Sequence, residues 1–260
     1  MLIDTHCHIH EADYPLDKDK VVERAKSAGV KQIICIGSDY EDSRLAVKLA
    51  EEYEGLFASI GIHPHHANQD QGEFFNYFNG QLPSRKIIAI GEIGLDYHYE
   101  DSPSPKKQIE LLKNQIDLAL RYDLPVIFHV REAYDDFWKV LDSYGSRAAK
   151  IKGVLHSFTD SAANLQKGLE RGFYISVNGI STFTHDRTQK EMFKSIPLDK
   201  LLLETDAPWL TPYPLRGKIK VNEPVFVREV AEYIGKARDL SLDEVSKTTT
   251  ANARTLFNLK

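Results

Sequence analysis

The chain has little cysteine: Cys7 and Cys35 are the only two in 260 residues. Two thiols cannot build a disulfide framework, and their scarcity fits a reducing, cytoplasmic setting. Long hydrophobic runs are also missing. Nothing approaches the ~20 consecutive apolar residues of a membrane span, and the first residues lack the basic and then apolar pattern of a secretory leader. Membrane contact is therefore not expected. There is no excess of positive charge either, with 33 Lys and Arg against 38 Asp and Glu, a formal net charge of −5. That excludes a protein that coats nucleic acid by bulk charge. Any nucleic acid has to be held locally, through metal ions and a small cationic patch. No Pro/Gly/Ser-rich linker divides the sequence, so residues 1–260 read as a single domain, with Pro208–Pro214 as a loop. Nothing in the sequence indicates an obligate protein partner.

What is present is a regular alternation. Short β-rich runs recur at Leu2–Thr5, Gln32–Ile36, Phe57–Ile62, Lys86–Ile90, Pro125–Phe128, Gly153–Leu155, Phe173–Val177 and Leu201–Glu204. Helix-like segments separate them, among them Lys18–Ala28, Asp42–Tyr53, Lys106–Tyr122, Ala133–Tyr144, Ser161–Arg171 and Asp186–Ser195. Most of the strands are continuously apolar, as parallel strands covered by helices on both faces must be. Eight β-then-α units in roughly 250 residues is the arithmetic of a (β/α)8 barrel, the TIM-barrel architecture. A doubly wound open sheet is the competing arrangement.

The ionisable residues cluster at the ends of these runs. His6 and His8 close the first. Residues two apart on a strand share a side, so both imidazoles can face one metal ion while Cys7 points away. His63 closes the third run, Glu92 the fourth, His129 the fifth and His156 the sixth, and Asp206 follows the eighth. A barrel brings the C-terminal ends of all its strands to one face, where active sites lie. These residues are therefore expected to converge. Three protein ligands suffice for one catalytic Zn-like ion. The set here is large enough for two ions if a carboxylate bridges them, and Glu92 is the natural bridge. Two such ions clamp the attacking and leaving oxygens of a phosphoester displacement. Glu204, one residue inside the eighth run, reads as a brace for a histidine or a helix. Cys35 reads as core.

At these motifs the chain resembles the TatD family of metal-dependent deoxyribonucleases, within the amidohydrolase-like barrel enzymes. The matching segments are Ile3–His8, Gly61–His65, Gly91–Tyr97, His129–Ala133, His156–Phe158 and Glu204–Pro212, followed by Arg216-Gly217-Lys218 and Asn222-Glu223-Pro224. The resemblance spans essentially the whole chain. It implies a binuclear centre in which His6, His8, Glu92 and Asp206 hold the first divalent cation and Glu92, His129 and His156 hold the second. It further implies a 3′–5′ exodeoxyribonuclease acting on DNA strands or ends through a metal-activated water. Asp206, with Glu92 and His63, would carry the catalysis, with Asp206 accepting the proton of that water. His63, His65, Arg216 and Lys218 would contact substrate. Zn, Mn, Mg and Ni are all compatible with the ligand types, although Mg prefers fewer imidazoles.

The chain departs from the family pattern where Ile219, Lys220 and Val221 intervene before Asn222, making that segment about two residues longer than usual. This keeps a second reading open: a small-molecule hydrolase acting on a lactone, amide or phosphotriester at the same metal site. A non-catalytic metal-binding protein is a third. Asn222-Glu223-Pro224 reads as a helix start, with Asn222 as cap. The aromatic residues Tyr97, Tyr99, Trp209 and Tyr213 fall in the same loops, either to stack on bases or to pack beneath a loop.

Overall fold

Parallel strands make up the centre of the computed structural model, which describes all 260 residues. They are β1 (Leu2–Cys7), β2 (Val30–Ile36), β3 (Leu56–Ile60), β4 (Ile87–Asp96), β5 (Val126–Arg131), β6 (Gly153–Leu155), β7 (Tyr174–Val177) and β8 (Leu201–Leu203). Each strand pairs in parallel with the next in sequence. A short parallel bridge between Cys7 and Ala207 brings the last strand back to the first. There the His8 amide donates to the Ala207 carbonyl at 2.7 Å and the Asp206 amide to the His6 carbonyl at 2.8 Å. This sequential ring is the (β/α)8 barrel and rules out the doubly wound sheet.

Ten helices accompany the strands: α1 (Lys18–Ser27), α2 (Tyr40–Glu52), α3 (Gly72–Gln81), α4 (Pro105–Tyr122), α5 (Tyr134–Asp142), α6 (Ala162–Glu170), α7 (Ile180–Phe183), α8 (Arg187–Ser195), α9 (Val227–Ala237) and α10 (Leu242–Phe257). Their starts follow local chemistry. The Asp17 carboxylate caps α1 by accepting from the Lys20 amide, and Pro105 occupies the first turn of α4. Ser241 and Glu244 cap each other's backbone at the start of α10. Between strands and helices lies the larger part of the core, including Cys7, Cys35, Phe74, Phe128 and Phe173. Inside the barrel, Ile3, Ile34, Ile36, Ile88, Ile127, Val154 and Leu202 pack together. Leu256, Phe257 and Leu259, at and just beyond the C-terminal end of α10, close this inner layer.

Three strands run further at their C-terminal ends than the sequence suggests. β1 continues to Cys7, β5 to Arg131, and β4 six residues past Ile90 to Asp96. Glycine hides the continuation of β4. Gly94 lies opposite His129 in the β4–β5 ladder, and a Cβ on it would fall inside the His129 carbonyl group. Helices α3, α7, α9 and α10 lie outside the helix-like segments recognised in the sequence. Helix α3 has an unpromising composition, with Gly72, Gly80 and a cluster of aromatic residues, which lose rotamer freedom in a helix. Asn222 is not a helix cap. Its amide group instead donates to the carbonyls of Thr205 at 2.9 Å and Trp209 at 2.5 Å. Pro224 does stand in the first turn of the short 3-10 helix Pro224–Phe226 that leads into α9.

Candidate metal centre

The C-terminal ends of the strands gather the imidazoles and carboxylates. β1 supplies His6 and places His8 one residue beyond its end. Their Nε2 atoms stand 3.1 Å apart. Asp206, in the loop after β8, brings its Oδ1 within 3.5 Å of His6 Nε2 and 3.6 Å of His8 Nε2. Glu92, within β4, uses its two oxygens differently. Oε2 lies 3.4 Å from His6 Nε2, while Oε1 lies 2.7 Å from His129 Nδ1 and 3.5 Å from His156 Nε2. The His6 and His156 rings stack with centroids 3.6 Å apart. All six metal-ligand candidates of the sequence therefore meet in one place.

Further residues hold this set in register. Asp4 accepts from the amide and hydroxyl of Thr205 at 2.9 and 2.6 Å, tying β1 to the β8 loop beneath His6. Glu204 is fully enclosed. Its Oε1 is 3.0 Å from His156 Nδ1, an ion-pair approach off the N–H axis, and it also accepts from Ser157 N, Asn178 Nδ2 and Ser176 Oγ. Of the two roles open to Glu204, the structure shows the histidine brace. Asp96 accepts from His129 Nε2 at 2.9 Å and lies 3.1 Å from His65 Nε2. Two buried glutamines on α4 clamp the strand ends: Gln115 exchanges hydrogen bonds with both backbone groups of Ile62, and Gln108 does the same with Asp96. They fix the positions of His63 and Asp96. A buried His10–Asp42 pair, 2.9 Å apart, backs His8. The sequence reading assigned no role to Asp4, His10, Asp42, Asp96, Gln108 or Gln115.

Ionisation follows from these contacts. Burial alone pushes the His129 pKa down, but Asp96 and Glu92 reverse this and carry it up to about 9. Burial likewise opposes protonation of His156, whose neighbours Glu204 and Glu92 raise it to about 10. Burial favours neutral Asp206, and the surrounding histidines overcome that, lowering its pKa to about 2. Glu92 is held well below the ordinary range by His156, His129 and His6, again against its burial. His63 is held well below its usual value by burial and by the neighbouring His129. It lies 3.9 Å from Glu92 Oε1.

The donor chemistry suits divalent cations. Four imidazoles and two carboxylates converge, and the Nδ1 atoms of His6 and His8 are buried without hydrogen-bond partners. Both rings therefore direct their engaged nitrogen, Nε2, at the shared centre. Oxygen and imidazole ligands at this density are the donor set of Zn²⁺- or Mn²⁺-type ions.

The expected substrate contacts divide. His63 and His65 stand beside the centre. Arg216 and Lys218 lie further along the chain after β8 and are exposed, with the Arg216 guanidinium 3.8 Å from the centroid of the Phe183 ring. An open groove of about 1460 Å³ lies at the opposite, N-terminal end of the barrel, among Lys26, Lys31, Lys86, Lys152 and Arg254. No histidine lines it, so the metal chemistry does not belong there.

Barrel and site together define a metal-dependent hydrolase. A family model described as TatD related DNase matches residues 3–258. The chain is 39% identical over 259 residues to the Bacillus subtilis uncharacterized metal-dependent hydrolase YabD, covering 100% of both. It is 34% identical over 263 residues to the 3′-5′ ssDNA/RNA exonuclease TatD of Erwinia tasmaniensis, covering 99% of this chain and 100% of that one. The crystal structure of YjjV, a TatD homolog from Escherichia coli K12, superposes with a TM-score of 0.89 at 32% identity, covering 100% of this chain and 98% of that one. The chain belongs to the TatD family. No helix is long and apolar enough to cross a membrane.

Proposed function

We propose that this protein removes nucleotides from the 3′ ends of single-stranded DNA at a centre of two divalent cations. The observation that carries the reading is the division of Glu92, with one oxygen toward His6 and the other toward His129 and His156. One ion would be held by His6, His8, Glu92 and Asp206, the other by Glu92, His129 and His156. Divalent cations held there would supply water ionisable near neutral pH and would neutralise the charge that builds on a phosphoryl group. Asp206, ionised at neutral pH, is positioned to take up the proton of the attacking water. His63, neutral by virtue of its burial, faces the same space and orients the scissile phosphate. The name of the Erwinia relative supports single-stranded nucleic acid as the substrate.

A second reading is favoured by the longer segment between Lys218 and Asn222 and by Arg216, whose guanidinium lies over the Phe183 ring. On that reading the same site hydrolyses a small lactone, amide or phosphotriester. One assay separates the two: 3′-labelled single-stranded DNA and a small-ester panel, each with Mn²⁺ or Mg²⁺, for wild type and Glu92→Ala. Metal-dependent release of labelled nucleotide is expected from wild type and not from the variant. Ester turnover far above DNA cleavage would sink the nuclease reading.

A further inference from the structure

We propose that the Trp209 indole is a stacking platform for an unpaired nucleobase of the strand held at the metal centre, with Tyr213 next along the same loop. This rests on the reading of the centre as a site for single-stranded nucleic acid. The chain has two tryptophans, and they are used in opposite ways. Trp138 is buried, and its Nε1–H donates to Asn164 Oδ1. Trp209 is 51% exposed although it is among the largest apolar side chains, and Tyr213 is 63% exposed. Neither ring packs beneath the loop.

The backbone under these rings is nevertheless fixed. The Trp209 amide donates to the Asp206 carbonyl at 2.9 Å. Its carbonyl accepts from the Asn222 side chain, which is wholly enclosed and also holds Thr205. Asp206 and Leu210 on either side of the turn have left-handed φ values of 59° and 56°. The Tyr213 amide donates to Thr182 Oγ1 at 2.8 Å. A fixed backbone thus presents two half-exposed aromatic rings, so little ordering cost remains when a planar group settles on them.

Position selects the ligand. The Trp209 ring centroid is 5.3 Å from that of His8, and the Trp209 amide is bonded to the carbonyl of Asp206. A phosphodiester at the metal centre therefore carries its attached base into the neighbourhood of the indole. Every base offers a π face, so this contact tolerates any sequence. It needs bases that are not already stacked in a duplex, which makes it a selector for single strands.

The two tryptophans also give a direct readout. Metal-loaded protein is titrated with a phosphorothioate-linked oligothymidine that resists cleavage, while tryptophan emission is followed. Saturable quenching is expected, and it should vanish in Trp209→Phe, which retains only Trp138. Trp209→Ala should raise KM for ordinary single-stranded DNA on the order of tenfold, with a smaller change in kcat. Trp209→Phe should restore most of the loss. Absence of quenching at saturating oligonucleotide, or an unchanged KM in Trp209→Ala, would overturn the proposal even if DNA is cleaved. Quenching without cleavage of ordinary DNA would instead overturn the nuclease reading and leave the stacking site standing.

Discussion

Glu92 can do what none of the histidines can. An imidazole has one free lone pair for a cation, whereas a carboxylate has an oxygen for each of two. Its neighbours are protonated or bare according to pH, and this sets how metal is taken up. In the metal-free protein His129 and His156 have pKa values of about 9 and 10, above their ordinary value of 6.5. Their ion pairs therefore contribute stability that is complete below pH 6.5 and lost as pH rises through 9–10. Asp206 has the opposite sign. Its pKa is lowered from 3.8 to about 2, so its contribution is present above 3.8 and lost as pH falls through 2. Metal binding needs neutral imidazoles and must expel their protons. Apparent metal affinity is thus expected to rise with pH between 6.5 and 9, by about tenfold per unit for each proton displaced. Competitive chelator titrations at several pH values check this. A flat profile would mean that the ions displace no protons from His129 and His156. Glu204, which touches His156 and no other proposed ligand, is a positioning residue. Glu204→Gln is expected to weaken metal binding about 10- to 100-fold, and in calorimetric titration the loss should fall on only one of the two proposed ions.

Among the elements, β4 shows why part of the site was legible in the sequence and part was not. His6, His8, Glu92, His129, His156 and Asp206 could be picked out because each lies at or near the edge of an apolar run, and a barrel sends all such edges to one face. Asp96 could not. Gly91 and Gly94 interrupt the hydrophobic pattern, which ends the strand at Ile90 in the sequence and puts Asp96 in a loop. With β4 continuing to Asp96, Glu92 and Asp96 stand four residues apart on one strand and both hold His129. Asp4, His10 and Asp42 were silent for a related reason. Their roles depend on lateral contacts between β1, the β8 loop and α2, which no local pattern encodes. Sequence alone assigns Asn222 a local role, whereas its amide group donates to carbonyls 13 and 17 residues away. Asn222→Ala removes these two bonds and the one its Oδ1 accepts from the Glu223 amide. It is expected to cost about 1–3 kcal/mol, read as a lower denaturation midpoint with an unchanged slope.

For the whole molecule, the fold was legible because repetition is a global property: eight strand-and-helix units leave few closed arrangements. The two ends of the barrel then divide the work. The end of α10 closes the inner layer with Leu256, Phe257 and Leu259, while imidazoles and carboxylates gather at the opposite face. An acidic protein, with a formal charge of −5, can serve a polyanion there only if cations sit among its carboxylates. The proposal that Glu92 bridges two ions rests on the division of its oxygens between His6 and the pair His129 and His156. Anomalous scattering from crystals soaked in Mn²⁺ tests it most directly. Two peaks are expected, one against His6, His8 and Asp206 and the other against His129 and His156, with Glu92 touching both. A single peak, or two peaks with Glu92 bound to only one, would contradict it.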